Sequence, residues 1–240
     1  SSDVCSSDLA SSTLLRVTVQ NLSKNVGYVM GAGDEVPDAL RQMGCDVTML
    51  TKDDLLYGDL NRFDAIVTGV RAFNVRPDLR ANYQRLFKYV QDGGTMIVQY
   101  NVAEGVVPTG GPATNPPAPA GQAAAPQPAP AAAAAGSEAP QPIVPVGDPT
   151  LLDHIGPYPI KESRDNKDRV TVEESPVKFP NPDLVLLHSP NEITQRDFEG
   201  WVQERGLDFA IDWDPRYKSV LESHDAGDKE MFGGELFTRY

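Results

Sequence analysis

The sequence predicts an α/β protein: a parallel sheet with helices on both faces, interrupted by a long insertion that cannot pack. Three observations carry that expectation. Four short apolar runs, Gly27–Met30, Asp46–Leu50, Ala65–Val70 and Thr95–Tyr100, alternate with helical or loop segments, and short buried runs with helices between them mean parallel strands covered on both sides. Glycines punctuate the joins, at Gly31, Gly33, Gly44, Gly93 and Gly94, where turns and helix ends need them. Between Val102 and Pro149 the composition changes, with twelve of the chain's 21 prolines and an alanine run over 131–135.

Taken in order, residues 1–10 (SSDVCSSDLA) have no apolar period or capping logic and read as a disordered or non-native tail, outside fold reasoning. Residues 11–25 read as the end of a preceding domain and a linker, with Leu14–Val19 alternating as a strand does. Gly27–Met30 is the first buried strand. Asp34 is placed to cap a helix with Pro37 in its first turn, Val36, Leu40 and Met43 at helical spacing, and Gly44 at its end. Asp46–Leu50 is the second strand, Asp53–Asp59 an acidic loop with a helical turn, and Ala65–Val70 the third strand. Pro77 opens a helix in which Leu79, Leu86, Tyr89 and Val90 face the sheet, and Thr95–Tyr100 is the fourth strand. The first part of the domain is thus 26–103.

Residues 104–148 read as a disordered, Pro/Ala-rich insertion with polyproline II character, because proline removes backbone donors and nothing there repays the ordering entropy. Residues 149–240 resume ordered sequence as the second part of the same domain. Arg169–Val172 reads as a strand and Leu184–Leu187 follows a turn. Thr194-Gln195-Arg196-Asp197 has the form of a capping box, opening a helix through Phe198 and Trp201 that Gly206 ends. Leu236–Tyr240 reads as the start of another strand, so the domain is expected to be truncated there.

Charge and length bound the function. The chain has 240 residues, a net charge of −13 and a pI near 4.6. That balance repels phosphate backbones and anionic lipid surfaces, so neither nucleic acid nor membrane is an expected partner. No apolar run approaches the ~20 residues of a membrane span, and no secretory leader is visible. The two cysteines, Cys5 and Cys45, exclude a disulfide framework and leave the compartment open.

Ligands of wound parallel sheets sit beyond the carboxyl ends of the strands. Those ends supply the candidate ligand-binding residues Gly31, Gly33, Asp34, Glu35, Arg71, Asn74, Tyr100 and Asn101. Arg71 can hold a carboxylate bidentately or pair with Asp34 or Glu35. Gly31 and Gly33 are only two glycines, and the third of a dinucleotide fingerprint is absent; with Asp34 and Glu35 repelling phosphate, a tight turn fits better. Asp53-Asp54 has no further ligand at metal spacing and reads as a solvated loop. Asp153 with His154 is either an acid–base or metal pair or a surface contact. Trp201, Phe209, Trp213 and Tyr217, with Asp212, Asp214 and Arg216, make either a sugar platform or core.

The stretches GYVMGAGDEVPDALRQMG, FDAIVTGVRAFNVRPDLRANYQRLFKYVQDGGTMIVQYN and FEGWVQERGLDFAIDWDPRY resemble the C-terminal part of long bacterial PIG-L family deacetylases. The resemblance implies a parent polypeptide whose N-terminal domain hydrolyses N-acetyl groups on amino sugars, or related amides, with zinc. It leans towards an exported bacterial protein. The family's A-H-P-D-D motif is absent, and the histidines, His154, His188 and His224, stand in other settings. This chain is therefore expected to be a fragment without the catalytic domain and without a metal or cofactor of its own. That N-terminal deacetylase domain is its implied partner, and a glycan or small polar ligand its implied occupant.

The region itself is similar to the class I glutamine amidotransferase-like fold, a flavodoxin-like sheet. Active members carry a cysteine on a sharp turn after a central strand. Tyr100-Asn101-Val102 stands at that turn here, and an amide nitrogen is no nucleophile. Cys45 is expected at the opposite end of the sheet. No catalytic residue is therefore assigned. Two alternatives stay open: an independent hydrolase using Glu35, Asp34 and His154, and a pure interaction scaffold with the proline-rich segment as spacer.

Overall fold

A computed structural model of the chain describes residues 18–103, 151–152, 154–163, 165, 168–200 and 206–240. The expectations for the tail, for most of Leu14–Val19, for 104–148, for Asp153 and for Trp201 fall outside them.

Strands β1 (Asn25–Val29), β2 (Asp46–Met49), β3 (Ala65–Thr68) and β4 (Thr95–Val98) form one parallel sheet in the order β2-β1-β3-β4. Gly27 pairs with both Thr48 and Ile66, and Ile66 with Met96. Side chains of a strand alternate between faces. Val26, Tyr28 and Val67 accordingly join Cys45 in one buried cluster, and Val29 and Ile66 join a larger one on the other face.

Helix α1 (Val36–Gln42) covers the first face with Val36 and Leu40. Helices α2 (Lys52–Tyr57), α3 (Ala72–Val75), α4 (Pro77–Ala81) and α5 (Tyr83–Gln91) cover the second with Leu55, Phe73, Leu79, Leu86 and Tyr89. The chain steps from β1 to one neighbour and then crosses back to the other. Right-handed crossovers in opposite directions place helices on opposite faces.

The expected continuous burial holds only for the central pair. β1 is buried from Val26 onward and β3 throughout, whereas β2 and β4, at the edges, stay half in water. Met43 is 47% exposed: α1 stops at Gln42 and Met43 is its C-cap, so helical spacing no longer governs it. The helix expected from Pro77 is two helices, broken at Asn82, whose side-chain amide donates to the Asp78 carbonyl at 2.7 Å and so competes with the helical ladder.

Beyond residue 150 the architecture changes. β5 (Leu151–Leu152), β6 (Ile160–Glu162) and β8 (Ala210–Trp213) make an antiparallel sheet. β7 (Val177–Lys178) pairs with β10 (Glu222–Ser223), and β9 (Lys218–Ser219) with β11 (Leu236–Phe237), both antiparallel. None of these joins the parallel sheet. The strand expected over Arg169–Val172 is a single bridge from Val170 to Gly206. Leu184–Leu187 holds a 3₁₀ turn over Val185–Leu187. The Thr194/Asp197 capping box is present, on a 3₁₀ turn over Gln195–Phe198.

The second part rests on the first. Ile155 enters the larger cluster, His154 stacks on Tyr83 with ring centroids 4.8 Å apart, and Phe87 meets Tyr240 edge-on. No described helix is long and apolar enough to cross a membrane.

Candidate functional site

The carboxyl ends of β1 and β3 meet backbone to backbone. Ala32 N donates to Val70 O at 2.8 Å, and a Cβ on Gly31 would lie 2.0 Å from that same oxygen. Only glycine permits this approach. Gly33 follows at φ +115, again a glycine conformation. The chain then delivers Asp34 into the junction. Its Oδ1 accepts from Tyr28 Oη at 2.6 Å and from Val36 N at 3.1 Å, and its Oδ2 from Val70 N at 3.1 Å.

Gln99 Nε2 donates to Tyr28 Oη at 2.7 Å, extending the network to the end of β4. Burial, with the Asp34 carboxylate beside it, pushes the Tyr28 hydroxyl far above its ordinary range. Asp34 thus takes donors that an anion at a strand end would use. It does so as an internal ligand of the first turn, while Glu35 stands exposed at the N-cap of α1.

After β4, Asn101 is 7% exposed and engaged at both ends of its carboxamide: its Oδ1 accepts from Phe73 N at 3.0 Å and its Nδ2 donates to Gln99 O at 2.7 Å. Asn74 clamps the next peptide, donating to Val102 O at 2.7 Å and accepting from Val102 N at 3.0 Å. Tyr100 Oη donates to Asp208. Burial first, then Asp208, drives its hydroxyl well above the usual tyrosine range. The buried Glu162 accepts from Ala103 N, so the second part closes over this corner.

Arg71 differs from its neighbours. It occupies the left-handed region at φ 56, ψ 25, with its N–H donating to Tyr100 O at 2.6 Å. The residue is exposed. Among the described residues its guanidinium makes no ion pair and no side-chain hydrogen bond, so the pairing with Asp34 or Glu35 is not formed. The guanidinium charge works, weakly, to lower the Tyr100 hydroxyl against burial and Asp208.

The rival acid–base set is divided by the sheet. Glu35 occupies the N-cap position of α1, without a capping bond from its side chain, and that helix packs on the face of Val26 and Tyr28. His154 stacks on Tyr83 of α5, beside Ile155, on the face of Val29 and Ile66. Cys45 precedes β2, at the amino ends of the strands. Its Sγ accepts from Asn21 Nδ2 at 3.0 Å. Of the aromatic stretch, Phe209 and Tyr217 are buried, Phe209 with Val170 and Met231, and Tyr217 with its hydroxyl on Tyr158 O at 3.1 Å. These two serve as core. Arg216 lies 3.4 Å over the Tyr158 ring and pairs with Asp214.

An open hollow of about 540 Å³ lies between α2 and α4, lined in part by Lys52, Leu56, Arg76 and Pro77. Arg76 reaches from it to Met30 O at 3.3 Å, just past β1. Arg71 is not part of that lining.

One group escaped the sequence reading. A donor atom from each of Glu222, His224 and Glu230 lies within 4.8 Å of the others. Glu222 and His224 are two apart on an extended segment, a visible alternation, but Glu230 joins them only through the pairing of Ser223 with Met231. Comparison with protein families, with curated proteins and with solved structures finds no match for this chain.

Proposed function

We propose that the chain is a holding module: a non-catalytic, class I glutamine amidotransferase-like domain of a PIG-L type deacetylase. It supports the catalytic domain of the same polypeptide and binds a small polar or glycan ligand at the strand ends. The parent reaction would be zinc-dependent hydrolysis of an N-acetyl group. The A-H-P-D-D motif is not in this chain, so the zinc of that reaction belongs outside it.

The order β2-β1-β3-β4, that of the first four strands of flavodoxin-like sheets, supports the fold assignment. The corner after β4 offers a carboxamide already bonded on both sides, and Cys45 stands at the other end of the sheet. The observation that carries ligand binding is Arg71. Its left-handed backbone costs about 1 kcal/mol for a non-glycine residue, yet its guanidinium is left to solvent beside the strand ends. A carboxylate is the group such a fork fits.

The test is an NMR titration of the chain with a uronic-acid oligosaccharide and, separately, with a neutral N-acetylglucosamine oligomer. Saturable shifts at Arg71 and Tyr100 with the uronate, lost in Arg71→Gly, are expected. Arg71→Gly should leave stability within about 1 kcal/mol of the parent, since relief of left-handed strain offsets the freedom glycine adds to the unfolded chain. No saturable shift in the parent chain, or equal shifts in the variant, would refute the reading. Acetate release from an N-acetyl sugar, abolished by a chelator and restored by zinc, would refute the non-catalytic half of it.

A further inference from the structure

The face that carries Lys178, Glu222, His224 and Glu230 plays no part in the ligand reading, and strand register builds it. Lys178 is opposite Glu222 across β7 and β10. Residues two apart share a face, so His224 stands beside Glu222. The antiparallel bridge from Ser223 to Met231, continued by one residue, sets Glu230 opposite His224.

Glu222 is the anchor. Its side chain is 2% exposed, His224 Nδ1 lies 2.7 Å from its Oε1, and its Oε2 is buried without a hydrogen bond. Burying a carboxylate is costly unless a cation compensates it. The cation present is the Lys178 ammonium, 3.0 Å from that Oε2 without hydrogen-bond direction and 2.8 Å from Glu230 Oε1. Lys178 is itself 52% exposed, so its tip can leave for water without disturbing the strands. The fixed part of the site is anionic; its counter-charge is a surface side chain.

We propose that Glu222, His224 and Glu230 bind a divalent transition-metal ion of the zinc class, the metal displacing the Lys178 ammonium from between the two carboxylates. Two carboxylates and a neutral imidazole balance a divalent charge, which one ammonium does not. A single imidazole among so few ligands favours zinc over magnesium or calcium, which take six or more oxygens. Tetrahedral bonds of about 2.1 Å set donors roughly 3.4 Å apart. Glu222 and His224, now hydrogen-bonded at 2.7 Å, need only open by a fraction of an ångström to reach that spacing, and Glu230, 53% exposed, can swing inward. Water fills the fourth position.

The test is zinc titration of the full chain by calorimetry, checked by competition with a chromogenic chelator, with magnesium as control. One zinc per chain is expected, with no saturable magnesium binding. Lys178→Met, which removes the competing cation, should tighten zinc at least tenfold. His224→Gln, at a partly exposed position, should weaken it at least tenfold while keeping the parent's circular dichroism. Absence of saturable zinc binding to the parent chain, affinity unchanged in His224→Gln, or affinity not improved in Lys178→Met would each overturn the proposal. None of these readouts depends on the strand-end ligand.

Discussion

The two parts of this chain are held together by different forces. Up to residue 103, one apolar cluster gathers eleven buried residues from β1, β3, the helices on their face and the connecting segments at Leu50, Leu60 and Phe63, and the buried polar residues are Thr68 and Asn101. Beyond residue 150 the described apolar cluster is Val170, Phe209 and Met231, while Glu162, Ser163, Asp168, Ser175, Ser219, Glu222 and Ser223 are all buried. The buried central strands β1 and β3 are placed by burial. Most strands of the second part are two or three residues long, and directional bonds from carboxylates and hydroxyls hold the segments between them. Asp225 is the clearest case: its carboxylate accepts from Thr171 N, Thr171 Oγ1, Val172 N and Ser175 Oγ, joining segments about fifty residues apart.

The largest effect is expected in the first part. Leu86→Ala, at a fully buried site, should cost about 3 kcal/mol in urea denaturation, transfer and cavity contributions together. Asp225→Ala should cost about 2 kcal/mol by removing several hydrogen bonds to a charged acceptor, with amide exchange rising at Thr171 and Val172 and protection in β1 and β3 kept. Equal loss of protection in both parts would break the comparison, because the chain would then open as one unit.

Acid provides a milder version of the same cut. Burial works to raise the Asp225 carboxyl, but the bonds from Ser175, Thr171 and Val172 outweigh it and hold it at about 2. Its folded value lies below the ordinary ~3.9, so its stabilisation is present above about pH 4 and is lost as pH falls through 2. Residue-resolved exchange between pH 4 and 2 should show the second part loosening before the parallel sheet. The smallest effect sharpens the contrast from the other side. Thr68 Oγ1, fully buried at the end of β3, has no hydrogen-bond partner among the described residues. Thr68→Val should therefore raise stability by up to about 1 kcal/mol; a loss would mean that the hydroxyl has a partner.

The same contrast explains what the sequence made legible. The four apolar runs became the four strands, because burial on a sheet imposes a period that composition displays. The break at Asn82 was hidden, since it depends on a side-chain bond to Asp78. The short ladders after residue 150 were mostly hidden, being fixed by partners distant in sequence. At the strand ends, residue types marked the place but not the roles. Asp34 reads as a cap or an acid, and its bonds to Tyr28 and Val70 have no local signature. Arg71 was visible as a charge at a strand end, while its left-handed backbone was not. His154 and Glu35 gave no sign that a sheet would separate them.

The network through Gln99, Tyr28 and Asp34 to Val70 N crosses the carboxyl ends of β4, β1 and β3 in one continuous line. Peeling β3 or β4 from that rim breaks its bond to the Tyr28–Asp34 pair, and peeling β1 breaks the link between the other two. Fraying there is expected to be concerted, and a molecule that disturbs any member of the line will be felt at all three strands.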